Sequence, residues 1–380
     1  MKIWVIFWSR STEHEVSIAS AFGIMQGFLK NTSHQVFPIY ITSNGQWVYE
    51  PDFLDPAKVN QLIHKDYSDL SFSIDFSKTG KFCAVQKNKS FFKKPVHLDL
   101  DLMFLMLHGK NGEDGTVQWI METLDVPYVS PSVLGSASGI NKVAMKELFK
   151  ANDIPMVQQV FLNTTPEDLT EIEKLGYPIF VKPATLGSSI GVTKADDRKS
   201  LENGLEVAFH YDHSVICEKG VENLVELNCS ILIDKGEIKH SLIERVNTKA
   251  SFLSFDEKYI AWGGTMQGIE EKVQIPAKIP EHVESKIYEL CEKVAKALHI
   301  DGGAPRIDFL RDEKNDLLYV NEINTIPWAM QIHLRTASGM DIKDFYNTLI
   351  DTAFYRQAQQ HAVSTDFSSS IVDLTVHLKK

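Results

Sequence analysis

The run Leu102-Met-Phe-Leu-Met-Leu107, followed by His108-Gly109, constrains the fold of this chain more than any other stretch. A strand with one wet face alternates apolar and polar residues, whereas a strand covered on both faces reads as a continuous apolar run. The segment is therefore expected to be a central strand of a parallel, doubly wound sheet. In such sheets ligands gather at the carboxyl ends of the strands, which is where His108 falls. The N-terminal residues agree. Residues 2–7 read as a buried strand, and helical spacing follows through Val16, Ala19, Ser20, Gly23 and Met25. Thr12 and Glu15 are spaced as a capping box for that helix, which leaves Glu13 at the helix N-terminus with no structural duty. A strand over "HQVFPIYIT" and short strands over about residues 45–96 complete a domain expected to span 1–130.

The pattern changes near residue 131. "SPSVLGSASGINKVAMKELFKAND" is a small-residue loop leading into a helix, and "YPIFVKPATLGSSIGVTK" is strand, glycine-rich loop, strand. Further on, short strands alternate with loops before one amphipathic helix, where Val283, Ile287, Leu290, Val294 and Leu298 keep the 3–4 spacing. These features divide the rest into lobes over 131–216 and 217–380, with a polar, loosely held tail from Gln357. A chain of 380 residues has room for two or three domains. Its net charge of −11 argues against nucleic acid or an anionic membrane as partner. The four cysteines are dispersed and suggest neither a disulfide framework nor a zinc site. Neither a signal peptide nor a bilayer-spanning stretch is legible, so a soluble cytoplasmic protein is expected.

Two segments of the last lobe carry polar groups on one face. In "APRIDFL" Arg306 and Asp308 share a face, and in "VNEINTIPW" Glu322 and Asn324 do. The polar turn "RDEKND" between them predicts an antiparallel hairpin that brings Asp308 towards Glu322 and Asn324. A strand with one wet face would explain the pattern. So would a Mg²⁺ site, because Mg²⁺ keeps waters and takes further ligands from phosphates, so two or three protein oxygens suffice. A phosphate binder is at hand. Lys182 is the lone charge in an apolar strand, and Gly187, Ser188, Ser189 and Gly191 offer backbone N–H groups and hydroxyls. A flexible hairpin tip is the plainer account of that loop by itself, and no Gly-Lys-Ser/Thr makes it a Walker loop. Lys142, at a helix start, is a second candidate cation that by itself would pass for a surface lysine.

The segments "HGKNGEDGTVQ" (108–118), "NK" (141–142), "VKPATLGSSIGV" (181–192), "CEKGVENLVELNCSIL" (217–232), "EKY" (257–259), "RIDF" (306–309) and "NEINTIP" (321–327) occur in order. With "RSTEHEVSIAS" near the N-terminus, the set resembles the D-alanine–D-alanine ligases of the ATP-grasp superfamily over about residues 3–345. The resemblance implies an α/β protein of the ATP-grasp fold, its N-terminal doubly wound parallel-sheet domain followed by two α+β lobes that enclose ATP. Lys142 and Lys182 would hold the ATP phosphates together with Gly187, Ser188 and Ser189. Glu218, Lys219 and Val221 fall where the family reads adenine, and Glu226 where it bonds the ribose. Asp308, Glu322 and Asn324 match the ligands of Mg²⁺, for which Mn²⁺ can stand in. Lys258 would meet the γ-phosphate. Ser188, Tyr259 and Glu13 would form a trio that closes the site, with Glu13 facing the first substrate's ammonium and His108 at the substrate pocket. Glu113 and Asp114 are expected to order their own loop. The implied reaction joins two amino acids: the first carboxylate attacks the γ-phosphate to give an acyl phosphate, and the second amine attacks the acyl carbon. Arg306 and a backbone N–H after Pro327 would stabilise the oxyanion. ADP and phosphate leave, and the family implies a homodimer.

Four departures from the family stand out. Trp8-Ser9 replaces a glycine pair, Trp119 the glycine after Gln118, Trp328 the glycine after Pro327, and His333 a serine that binds the second substrate's carboxylate. Packing changes at unrelated positions would account for them; a reshaped substrate pocket is the alternative, since Trp8 and Trp328 both flank substrate-side motifs and His333 stands where the second substrate's carboxylate would bind. Three functions fit: a D-alanine–D-alanine ligase of peptidoglycan synthesis, a related amino-acid ligase with another second substrate, or an inactive nucleotide-binding paralogue. The intact lysines, Arg306 and metal ligands disfavour the last.

Overall fold

The computed structural model describes residues 1–8, 10–75, 82–90, 92–246, 273–364, 367 and 369. Strands β1 (Lys2–Phe7), β2 (Gln35–Ile41) and β3 (Trp47–Tyr49) open the chain. They are followed by β4 (Leu70–Asp75), β5 (Phe82–Asn88), β6 (Val96–Leu100), β7 (Leu102–Met106) and β8 (Tyr128–Val129). The first sheet has the order β3-β2-β1-β7-β8, parallel except at β3, while β4, β5 and β6 form a small antiparallel sheet. Every residue of β7 is buried, as its unbroken apolar run predicts, and His108 stands just past its carboxyl end.

The first helix, His14–Asn31, buries Ser17, Ser20, Ala21, Ile24 and Phe28. Ala19 and Gly23, expected on the inner face, are exposed. The expected capping box does not form. Glu13 rather than Thr12 is the N-cap residue, with no side-chain cap bond, because its carboxylate is engaged elsewhere, and its N–H donates to Ser11 Oγ (3.2 Å). Glu15 is exposed beside His14.

The central sheet, β11-β10-β12-β9, is antiparallel and contains β9 (Gln159–Leu162), β10 (Ile179–Pro183), β11 (Thr193–Ala195) and β12 (Val215–Lys219). The last sheet is built on β13 (Leu224–Asp234), flanked by β14 (Glu237–His240), β15 (Glu244–Val246), β16 (Val273–Gln274), β17 (Arg306–Asp312) and β18 (Leu317–Asn324). Strand alternation sorts its two faces. Leu227, Ile307 and Phe309 pack against Val283, Ile287, Leu290 and Val294 of the helix Glu281–Ala297, and Glu226, Asn228 and Asp308 line a cleft on the other side. The predicted hairpin is present: Asp308 lies opposite Glu322 and Arg306 opposite Asn324. The register slips after Asp308, so Asn321 is the extra residue of a bulge.

The segment from Gln357, expected as a loose tail, continues the helix Ile342–His361. That helix docks on the N-terminal core: Tyr346 stacks on Phe28 at 4.1 Å, and Gln357 Nε2 donates to the Asp125 carbonyl (2.7 Å). Glycine is required at Gly27, where a Cβ would stand 2.0 Å from Tyr346 Oη. Among the described residues, no helix is long and apolar enough to cross a membrane.

Candidate active site

The central and last sheets face each other across a cleft of about 890 Å³ that opens to solvent. Lys142, Lys182, Gly187, Ser189, Glu218, Lys219, Val221, Glu226, Asp308 and Glu322 all line it. Lys182 on β10 and Glu218 on β12 come from neighbouring antiparallel strands, and Lys182 Nζ meets Glu218 Oε2 at 2.5 Å. The other carboxylate oxygen of Glu218 receives Lys146 Nζ at 3.0 Å. Sequence reasoning missed Lys146. It sits four residues after Lys142 on the helix Lys142–Ala151, the spacing that puts two residues on one helix face. Burial raises the Glu218 carboxyl, but Lys146 and then Lys182 outweigh it and hold the group down to about 2. Burial pulls Lys182 down, while Glu218 and Glu322 pull it further up, so it stays above its ordinary value and charged. Lys142 Nζ donates to the Leu186 carbonyl (2.8 Å) and pairs with Glu322 Oε2 (3.1 Å).

On β17 and β18, Arg306 grips Asp308 through Nε (2.6 Å) and Nη2 (2.8 Å), and Asn324 Nδ2 donates to Asp308 Oδ2 (3.0 Å). Asp308, Glu322 and Asn324 supply two carboxylates and one amide oxygen. Among the described residues there is no cluster of three acidic, histidine or cysteine groups to cage a metal. The donor set nevertheless fits Mg²⁺, which prefers hard oxygens and completes its shell with water and phosphate.

A second, smaller pocket adjoins the cleft, where Glu13, His108, Glu113, Ser188, Arg306 and Trp328 converge. Ser188 Oγ donates to Glu13 Oε2, joining the N-terminal helix to the glycine-rich loop. That loop turns through left-handed Ser188, Ser189 and Gly191 (φ 53°, 60° and 71°). His108 is buried and its Nε2 has no partner among the described residues. Burial, helped by Arg306, holds its imidazole down to about 3 and so neutral. Asp114 orders its own loop as expected, accepting from Asn111 N (2.8 Å) and Thr116 N (3.0 Å). Glu113 does more than that. It accepts from Gly109 N (2.9 Å) and, from the last lobe, from Ile326 N (2.9 Å) and Thr325 Oγ1 (3.4 Å). Burial and the charge of Glu13 push its carboxyl up to about 8.

The three tryptophans separate cleanly. Trp8 is in the core, stacked on His14 (4.5 Å) and edge-on to Tyr40 (5.4 Å), and Trp119 is 61% exposed. Of the three, Trp328 alone lines the smaller pocket. His333 turns to a buried carboxylate, its Nε2 2.9 Å from Glu244 Oε2. Burial raises Glu244, and His333 and Asn228 more than reverse it, so Glu244 lies below its ordinary value. Lys258, Tyr259 and Ser9 lie outside the described residues.

Two family models match the chain: "D-ala D-ala ligase N-terminus" over residues 2–131 and "D-ala D-ala ligase C-terminus" over residues 148–351. A D-alanine–D-alanine ligase of Bacillus velezensis is 33% identical over 374 residues, covering 95% of this chain and 100% of that protein. The structure of the D-alanine–D-alanine ligase from Coxiella burnetii superposes with a TM-score of 0.77 at 26% identity, covering 100% of this chain and 99% of the other. The VanG D-Ala:D-Ser ligase from Enterococcus faecalis superposes with a TM-score of 0.72 at 28% identity, covering 93% and 99%. The fold is the ATP-grasp fold that the sequence resemblance implies. Matched over nearly its whole length by D-alanine–D-alanine ligases, the chain belongs to the D-alanine–D-alanine ligase family and is a ligase.

Proposed function

We propose that the protein joins two amino acids, with D-alanine in the first position, in a Mg²⁺- and ATP-dependent reaction that releases ADP and phosphate. The observation that carries this reading is one cleft in which Lys142 and Lys182 face Asp308 and Glu322, cations for a triphosphate opposite oxygens for a divalent metal. Lys142, Lys182 and the backbone of the loop Gly187–Ser189 would hold the phosphates through charge-assisted hydrogen bonds. Lys219, Val221 and Glu226, with the backbone at Glu218, would hold the nucleoside end, and Lys258 would reach the γ-phosphate. Mg²⁺, held by Asp308, Glu322 and Asn324, would neutralise charge on the transferring phosphoryl group.

Glu13 would receive the first amino acid's ammonium, with His108 beside it. The carboxylate of that substrate attacks the γ-phosphate in line, forming an acyl phosphate and releasing ADP. The amine of the second amino acid then attacks the acyl carbon, and phosphate leaves. Arg306 and the backbone N–H after Pro327 stabilise the oxyanion with fixed donors. Ser188 and Tyr259 would seal the pocket on Glu13 and keep water from the acyl phosphate. We assign lobes 1–130, 131–216 and 217–380; there are three apolar cores, but Met145, Phe149 and Ile154 pack into that of the last lobe, and the helix Ile342–His361 packs back on the first. A cytoplasmic homodimer serving peptidoglycan synthesis completes the proposal.

A second reading keeps the chemistry and changes the second substrate. It is favoured by Trp328 at the pocket and by His333, paired with Glu244, where the family commonly has a serine. A screen of ADP release over D- and L-amino acids with Mg-ATP tests both. D-Alanyl-D-alanine as the main product supports the first reading, and another dipeptide the second. Release of AMP and pyrophosphate, or no turnover, would overturn both.

A further inference from the structure

Residues 325–331 leave β18 and cross onto the N-terminal domain. Three consecutive residues there, Ala329, Met330 and Gln331, have φ of 43°, 51° and 54°. Left-handed backbone is disfavoured for residues with a side chain and persists only where the surroundings over-determine it. Those surroundings belong to the N-terminal domain. Ile326 and Met330 are fully buried in its apolar core. Between them, Ala329 N–H donates to Ser20 Oγ of the first helix (2.7 Å). Ile326 N–H donates to Glu113 Oε1 (2.9 Å), and the other oxygen of Glu113 accepts from Gly109 N (2.9 Å), beside His108. Trp328 lies between the two anchors and lines the pocket with Glu13 and Arg306.

We propose that Glu113 is a positioning residue for the ligase reaction, its buried carboxyl group tying the loop that carries His108 to the strained 325–331 turn. With Ser20 it fixes where Trp328 and the backbone after Pro327 stand relative to Arg306. A loop-ordering residue would need only Gly109; the bond to Ile326 spans 213 positions of sequence. The inference rests on the ligase reading above and concerns the amino-acid side of the site, leaving the nucleotide cleft untouched.

The test is steady-state ADP release from wild type, Glu113→Ala, Glu113→Gln and Ser20→Ala, using whichever amino-acid pair the wild type turns over and correcting for the folded fraction. Glu113→Ala is expected to lower kcat about 10²-fold, the scale of a misplacement of about 1 Å. It should also raise KM for the amino acids while leaving KM for ATP within about twofold. Glu113→Gln keeps one acceptor oxygen and should recover part of the loss, and Ser20→Ala should show the same split more weakly. If Glu113→Ala does not fold, the other two variants decide. Wild-type kinetics in the folded variants, or equal losses for ATP and amino acid, overturn the inference while the ligase reading stands. A wild type inactive with every pair overturns the ligase reading, and this inference with it.

Discussion

Replacing Lys146 by methionine removes a buried charge from the one carboxylate that two lysines share. Lys146 Nζ and Glu218 Oε1 are 3.0 Å apart, with side chains 1% and 3% exposed, and the second oxygen of Glu218 holds Lys182. Against burial, which acts alone in the other direction, the lysines bring the Glu218 carboxyl from 4.5 to about 2. At 1.36 kcal/mol per unit, that depression is a net contribution of roughly 3 kcal/mol. The folded value lies below the unfolded one, so the contribution is present above pH 4.5 and is lost as pH falls towards 2. Methionine keeps the bulk of Lys146 and leaves Glu218 buried with Lys182 as its remaining lysine partner. Breaking a buried pair costs about 3–5 kcal/mol. Burial itself pulls Lys146 below the ordinary ammonium value, so removing that charge returns some desolvation, and a loss near the lower end, about 3 kcal/mol, is expected. Urea unfolding at neutral pH measures it. Glu218→Gln, alone and combined with Lys146→Met, completes a double-mutant cycle whose coupling should exceed about 1 kcal/mol. A Lys146→Met protein within about 0.5 kcal/mol of wild type would refute the reasoning.

Glu322→Gln removes a ligand charge at nearly constant shape, and ADP release should vanish while circular dichroism stays native; wild-type turnover would remove Glu322 from the metal site. EDTA should abolish turnover and added Mg²⁺ restore it, whereas turnover persisting in excess chelator would count against a divalent cation. His108, held to about 3 from 6.5, is depressed, so its contribution is full above pH 6.5 and is lost as pH falls towards 3. Each unit in that window costs about 1.4 kcal/mol, and His108→Gln should flatten that part of the stability–pH curve; parallel curves would contradict it. Trp328→Gly with His333→Ser should move second-substrate preference towards D-alanine by about 10–200-fold in kcat/KM, and an unchanged ratio would take both residues out of that pocket.

What was legible in the sequence is what depends on neighbours in the chain. β7 shows its burial in its own composition, and the β17–β18 register follows from one short turn, so Asp308 opposite Glu322 could be foreseen. The loop-ordering bond of Glu113 could be foreseen, but not its second bond, because that partner lies 213 residues away. Lys146 was hidden for a different reason: an i,i+4 lysine pair on a helix looks the same at a surface as over a buried carboxylate. The capping box failed by competition, since Glu13 is drawn to Ser188 and the helix begins one residue later than Thr12 would set it. The tail from Gln357 reads as polar and loosely held, yet it continues a helix, and Gln357 and His361 reach Asp125 with their polar ends. Trp8 and Trp119 looked like Trp328 as substitutions, and only packing tells them apart.

In the ligase reading, the ion pairs around the cleft also give a role to one more lysine than the phosphates would demand. Lys142 is matched by Glu322 and Arg306 by Asp308. In the ligase reading, Lys142 turns to a phosphate at smaller cost when Glu322, a half-buried carboxylate, gains a cation at the same step. These pairs therefore favour nucleotide and metal together over either one. Lys182 has no such exchange available, since Glu218 lies on β12, away from the hairpin of the metal-ligand set. Lys146 removes the difficulty. Held 3.0 Å from the other oxygen of Glu218, it keeps that carboxylate neutralised while Lys182 gives its charge to the triphosphate.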